Sequence, residues 1–338
     1  MRSTEVVNPM TESAESSRSS RSSTEFGRKL AAPFTVQLIL LLVVIMSIAT
    51  APSAQAQEVS QPFTVDSPFR TSIPDDAGID PNSAAMIAYA ARENSVYASM
   101  AEFGIPIYQA ENNTPRFTVE CTITWWGPCP FDGYQIPIPA DARPQTGSDG
   151  ALVVIVDETS DLVFEFWQAQ FADGQWTASF GAVNKLYGSG WGGSSTGSGA
   201  SRLAGVILVD EIAAGEIPHA LALQTDNICA GIYRQPAIKT DGTSLRADCI
   251  PEGARLRLDP TIDLDELELA PAVRTVARAM QVYGGYVVDA GGAPLSLSFE
   301  RDPEAEDGQI GSVYEQAGLR WDYDNLPGVP WHSLQVIA

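Results

Sequence analysis

Residues 151–170 read ALVVIVDETSDLVFEFWQAQ, two apolar runs split by a short polar segment. Both runs are rich in β-branched and aromatic residues, and each is too short for a typical helix. They predict a pair of antiparallel strands whose turn falls within residues 158–161. The unbroken apolar run of residues 152–156 suits a strand covered on both faces. Asp173-Gly174 is a hairpin turn signal, and residues 175–182 then start a third strand of a meander.

Downstream lies the most flexible composition of the chain, YGSGWGGSSTGSGAS at residues 187–201. Glycine and serine give backbone freedom and little packing, so this loop is expected to move over a cleft. Trp191 is the one large side chain of residues 188–201. A strand at residues 204–209 follows. Next comes one helical turn at residues 210–216, with Asp210 as N-cap and Gly215 as stop, and then a strand at residues 219–224.

Upstream, residues 57–79 read as an extended lead-in and residues 80–94 as a helix opened by Asp80-Pro81. Residues 116–124 alternate as a strand, and the prolines of residues 135–139 confine that segment to an edge. Residues 271–282 form an amphipathic helix. Residues 286–288 and 295–299 flank an Asp-Ala-Gly-Gly-Ala turn as a hairpin. The acidic remainder from Glu300 is loop-like, with Tyr314, Trp321 and Trp331 expected on the core. Many short strands and few helices predict a mainly β fold, an antiparallel β-sandwich or jelly roll with two or three peripheral helices.

The chain has 338 residues and a net charge of −22. Arg28 and Lys29 precede an apolar run at residues 34–48, and small residues end at Ala56. This order predicts a secretory signal cleaved after Ala56. The alternative is an uncleaved anchor at residues 34–50, the only route to a membrane. The expected organisation is a polar n-region plus signal at residues 1–56, an N-terminal extension at 57–140, and a β-sandwich core with an acidic tail at 141–338. Five of the 20 Lys/Arg and four of the 42 Asp/Glu fall within residues 1–56, which leaves 15 against 38, a net −23. Such a surface repels phosphate backbones and anionic lipid, so nucleic acid is excluded as a partner.

Cys121, Cys129, Cys229 and Cys249 make an even set in an exported chain. They predict two sequence-local disulfides, Cys121–Cys129 and Cys229–Cys249. Zinc is not expected, because no Cys-x-x-Cys or Cys/His cluster occurs. No cofactor is expected. The acidic strings Asp259, Asp263, Asp265, Glu266 and Asp302, Glu304, Glu306, Asp307 lack EF-hand spacing and read as solvated charge, which leaves calcium a minor expectation.

Three residues carry the acid/base expectation. Glu165 sits mid-strand among Val163, Phe164, Phe166 and Trp167, a setting that raises a carboxyl pKa. His219 follows the acidic Asp210, Glu211 and Glu216. Asp289 ends a strand at a Gly-rich turn. Asp157 reads instead as a turn carboxylate, too far along the ladder from Glu165 to form a glycosidase pair, roughly 13 Å at 3.3 Å per residue. Trp191, Trp167 and Trp126 are the expected sugar-stacking residues.

The stretch SRLAGVILVDEIAAGEIPHALAL, with ARAMQVYGGYVVDAGG downstream, resembles a group of exported actinobacterial proteins of unsettled function. The resemblance covers residues 136–297 and brings no catalytic motif. It implies that Glu165, Trp191, His219 and Asp289 share one site. The functional expectation is a secreted carbohydrate-active protein, a glycan hydrolase of the cell envelope or surroundings. The alternative is a non-catalytic glycan-binding or envelope-associated domain. The expected partner is a polysaccharide or another extracellular small-molecule ligand.

Overall fold

Two sheets face each other across a shared middle core, and a second apolar layer backs each sheet. The computed structural model describes residues 61–338, which belong to one compact unit. The predicted signal segment and its reading as an anchor lie outside the described residues. Among the described residues, no helix is long and apolar enough to cross a membrane.

The larger sheet has six strands in the order Tyr97–Ser99, Ser296–Ser298, Leu221–Thr225, Gly285–Ala290, Arg255–Leu258, Leu334–Val336. The smaller has four, Phe180–Lys185, Leu162–Trp167, Leu152–Val156 and Ile107–Gln109. Both are mixed, which corrects the expected antiparallel sandwich. Leu221–Thr225 runs parallel to Gly285–Ala290, and Ile107–Gln109 runs parallel to Leu152–Val156. The segment 57–140 is woven into both sheets through its strands Tyr97–Ser99 and Ile107–Gln109.

The pleat explains the layers. On Leu221–Thr225, Leu221 and Leu223 face the helices Ser83–Ala90 and Pro271–Val282. Ala222 faces the middle core with Tyr286 and Val288. On the smaller sheet Leu152, Val154, Phe164 and Phe166 face the outer layer of Phe131, Ile136 and Trp176, while Val153 and Val163 face the middle. A strand apolar on both faces is stable only with both faces covered, which is what residues 152–156 signalled.

The two strands of the leading hairpin pair antiparallel as expected, in the register that sets Val153 opposite Glu165 and Val156 opposite Leu162. Its connection is one residue longer than expected, a helical turn Asp157–Ser160 closed by Asp161 in the left-handed region. Asp173 (φ 53°) and Gly174 (φ 81°) make the predicted tight turn, joining Gln170–Ala172 to Gln175–Ala178. The chain then returns as Phe180–Lys185 to pair with Leu162–Trp167.

Other expectations are corrected. Residues 286–299 do not form a hairpin, because Leu221–Thr225 inserts between Gly285–Ala290 and Ser296–Ser298. Residues 204–209 are not a strand; Ile207 makes a single bridge to Phe299. The short helix is Val209–Ala214, and Glu211 rather than Asp210 closes its first turn by accepting the Leu208 amide at 3.0 Å. Tyr314 and Trp331 are fully buried, but Trp321 keeps 53% of its surface exposed. Both predicted disulfides are present, Cys121–Cys129 and Cys229–Cys249.

Candidate functional site

Strand parity decides what Glu165 does. It shares a face with Val163 and pairs with Val153 and Ala182, so its carboxylate points into the middle core. It is fully buried. Ser195 and Ser201 donate their hydroxyls to it, the Arg202 amide donates at 2.9 Å and Asn184 Nδ2 at 3.0 Å. Four donors occupy the lone pairs of a carboxylate, which makes Glu165 the anchor of the Gly/Ser loop and removes it from any cleft.

That loop is accordingly packed rather than free, a correction to the expected mobile rim. Ser195, Thr196, Ser198, Ala200 and Ser201 are all buried. Ser198 donates its amide to Val288 O and accepts the Ile238 amide, each at 3.0 Å. Trp191 stacks on Phe69 with ring centroids 5.3 Å apart and meets Tyr286 edge-on at 5.6 Å. The loop borrows a core that it cannot build from its own side chains. Trp191 is therefore a packing residue on the middle layer.

His219 is held by other partners than Glu165 and Asp289. It is buried, with Nε2 3.0 Å from Glu211 Oε1 and Nδ1 3.0 Å from the Ala220 carbonyl. Burial works to lower its pKa, but the Glu211 charge, the hydrogen bond to it and the Ala220 carbonyl outweigh burial and raise it. Of the expected trio, Glu165 and Asp289 share neighbours through Arg202 and the Gly/Ser loop, while the ring nitrogens of His219 face Glu211 and the Ala220 carbonyl. Trp126 and Trp167 stack on each other at 5.7 Å beside the Cys121–Cys129 loop. Trp126 is 56% exposed.

Arg202 links two features that the sequence did not single out. Its Nη1 lies 3.1 Å from Asp149 Oδ2 and its Nη2 3.5 Å from Asp289 Oδ2. Its Nη2 also donates to the Ser195 carbonyl at 2.5 Å. On one side of Arg202 opens a cleft of about 760 Å³. Tyr97, Phe103 and Tyr323 supply its aromatic surface, and Gln145, Asp149 and Gln224 supply planar polar groups. Gln224 is held between Ser296 and Ser298. Trp321 packs edge-on against Tyr323, centroids 5.8 Å apart, with its other surface in solvent.

On the other side of Arg202, Asp289 joins Asp241 and Glu252. One carboxylate oxygen from each lies within 4.8 Å of the other two. Asp289 Oδ1 accepts the Gly197 amide at 3.0 Å. Burial pushes the Asp289 pKa to about 6 against the pull of Arg202, with the charges of Asp241 and Asp149 adding to the rise. Burial likewise pushes Glu252 to about 7, helped by Asp241 and Asp289 and opposed by the Thr240 side chain and the Asp241 amide. Glu252 carries a weaker signal in sequence than Glu165, a carboxylate at the end of the short strand Ile250–Glu252. Asp241 carried none, being one of two acids on a polar excursion.

No family model, curated protein or solved structure matches this chain.

Proposed function

We propose that the protein is an exported glycan-binding domain whose binding surface is the 760 Å³ cleft between Tyr97, Tyr323 and Arg202. One observation carries this reading: the cleft combines aromatic faces with amide, carboxylate and guanidinium groups. Aromatic faces cover the apolar C–H face of a sugar ring, and planar polar groups bind its hydroxyls in pairs. Trp321 next to Tyr323 extends the aromatic surface outward. The two disulfides fit an oxidising, extracytoplasmic compartment, and the acidic surface suits neutral or cationic ligands rather than polyanions. The resemblance of residues 136–297 to exported actinobacterial proteins supports export and names no reaction.

Binding is favoured over hydrolysis because the residues expected to perform acid/base chemistry are otherwise engaged. Glu165 holds a loop and His219 is paired inside the fold. The hydrolase reading keeps one observation in its favour, the raised pKa of Asp289 behind Arg202. A polysaccharide array with reducing-end detection separates the two. Retention of a glycan without new reducing ends, lost in Trp321→Ala and Tyr323→Ala, supports binding. Release of reducing ends that stops in Asp289→Asn assigns hydrolysis instead. No retention of any neutral or cationic glycan removes both readings.

A further inference from the structure

We propose that Asp241, Glu252 and Asp289 form a binding site for one calcium ion. Three separate segments of the chain meet there. Asp241 lies on the excursion closed by Cys229–Cys249, Glu252 ends the strand Ile250–Glu252, and Asp289 sits near the end of Gly285–Ala290. Their nearest oxygens all fall within 4.8 Å of one another. Two oxygens bound to one calcium at about 2.3–2.6 Å can be at most roughly 5 Å apart, so the three carboxylates fit around one ion with little movement. Magnesium, at about 2.0–2.1 Å, requires a tighter set.

The second observation is the state of Glu252. Its side chain is fully buried, its Oε2 accepts the Asp241 amide at 3.2 Å, and its Oε1 has no hydrogen-bond partner. An orphaned carboxylate oxygen in a dry interior is costly unless something positive meets it. Its direction is fixed by Gly197. A β-carbon built on Gly197 would stand 2.5 Å from Glu252 Oε1 and 2.6 Å from Asp241 Oδ1. The amide of the same glycine donates to Asp289 Oδ1. All three carboxylates therefore converge on one backbone position, and only glycine lets them approach it so closely.

The surrounding cations do not neutralise the cluster. Arg202 reaches only Asp289, at 3.5 Å, and is shared with Asp149. The Lys239 ammonium donates to the Thr196 carbonyl at 2.5 Å. Three acids with one shared arginine leave a net negative pocket of hard oxygen donors, the chemistry that calcium selects. Carboxylates supply up to six oxygens, and solvent on the exposed Asp241 side completes the shell. The bound ion would tie the Gly/Ser loop and the 229–249 excursion to the strand that leads into Gly291 and Gly292 on the cleft wall.

The test uses the disulfide-bonded protein, stripped with EDTA and dialysed, and titrated calorimetrically with calcium chloride alone. One ion binds per chain, with an affinity suited to extracellular calcium, and the melting temperature rises with it. Asp241→Asn and Glu252→Gln each weaken binding about tenfold or more. Asp241 is exposed, so its variant folds whatever the site does. No heat and no thermal shift up to about 10 mM calcium overturns the proposal. So does binding left unchanged in both variants, or tighter binding of magnesium than of calcium.

Discussion

The carboxylate of Glu165 accepts the backbone amide of Arg202 at 2.9 Å, which joins the centre of the smaller sheet to the end of the Gly/Ser loop. Arg202 then carries the connection to both the cleft and the acidic triad. One buried anion thus sets the position of the residue that the two candidate surfaces share.

Glu165→Gln is therefore expected to destabilise the protein. Asn184, Ser195 and the Arg202 amide share Oε2 while Ser201 alone meets Oε1, so a neutral amide weakens the three bonds on its oxygen and turns its nitrogen toward the Ser201 hydroxyl. The cost is roughly 3 kcal/mol, the scale for disrupting a buried, hydrogen-bonded charge. Ser201→Ala should cost about 1–2 kcal/mol by removing one donor. Denaturant unfolding of the two variants measures both. A Glu165→Gln protein as stable as wild type would show that the anchor is dispensable.

The buried acid–imidazole cluster around Glu211 sets a pH dependence. The His219 pKa is raised, so its pair with Glu211 stabilises fully below the unfolded value of about 6.5. That contribution is lost as pH rises through the folded value. Glu300 runs in the same direction. Burial pushes it from 4.5 to about 7, against the Val209 amide bonded to it at 2.8 Å. Its protonated form is the one the fold favours, so its contribution is present below pH 4.5 and gone above about 7. The melting temperature should fall between about pH 5 and pH 8. Glu300→Gln, which keeps an acceptor for the Val209 amide without the charge, should flatten the slope. It should also add up to roughly 3 kcal/mol at the alkaline end. A melting temperature that climbs across this window in wild type contradicts the assignment.

How far the sequence revealed this arrangement depends on the range of the interaction. The hairpin of residues 152–167, the helix Pro271–Val282 and the two disulfides were legible because local pattern determines them. The mixed sheets were not. Whether Gly285–Ala290 pairs with Ser296–Ser298 or with Leu221–Thr225 depends on which strand can bury both faces, and Leu221, Ala222 and Leu223 win that central place. Glu165 was legible as unusual but not as an anchor, since its donors Ser195, Ser201 and Arg202 come from a loop whose composition suggested motion. Seven hydroxyl-bearing residues in that loop were the available signal: hydroxyls packed beside an apolar strand need an acceptor, and Glu165 is a carboxylate within such a strand.

Loss of the Cys229–Cys249 bridge should act on both stability and ion binding. It closes a span of 20 residues, for which loop-closure entropy gives about 3 kcal/mol. Asp241 lies inside that span, so the Cys229→Ser/Cys249→Ser protein should also bind calcium more weakly than wild type. The shorter bridge, Cys121–Cys129, spans 8 residues and is worth about 2.5 kcal/mol, with no effect on calcium. Thermal melts with and without calcium distinguish the two. Peptide mapping under non-reducing conditions checks the pairing itself.

Two tryptophans, Trp191 and Trp321, carry opposite expectations for ligand binding. Trp191 is stacked on Phe69 and meets Tyr286 edge-on, in contact with the middle core, whereas Trp321 is 53% exposed beside the cleft residue Tyr323. Truncating Trp191 to Ala should cost roughly 3 kcal/mol, because it removes both ring contacts and opens a void against Phe69. It should leave glycan affinity almost unchanged in the fraction that stays folded. Trp321→Ala should do the opposite, with a melting temperature near wild type and affinity reduced about tenfold, the scale for one stacking face at a wet site. Emission gives an independent reading. Glycan titration should shift the fluorescence of Trp191→Phe as it shifts wild type, and leave that of Trp321→Phe nearly flat. If the response disappears with Trp191 instead, the ligand meets the Gly/Ser loop and the cleft beside Tyr323 is not where it binds.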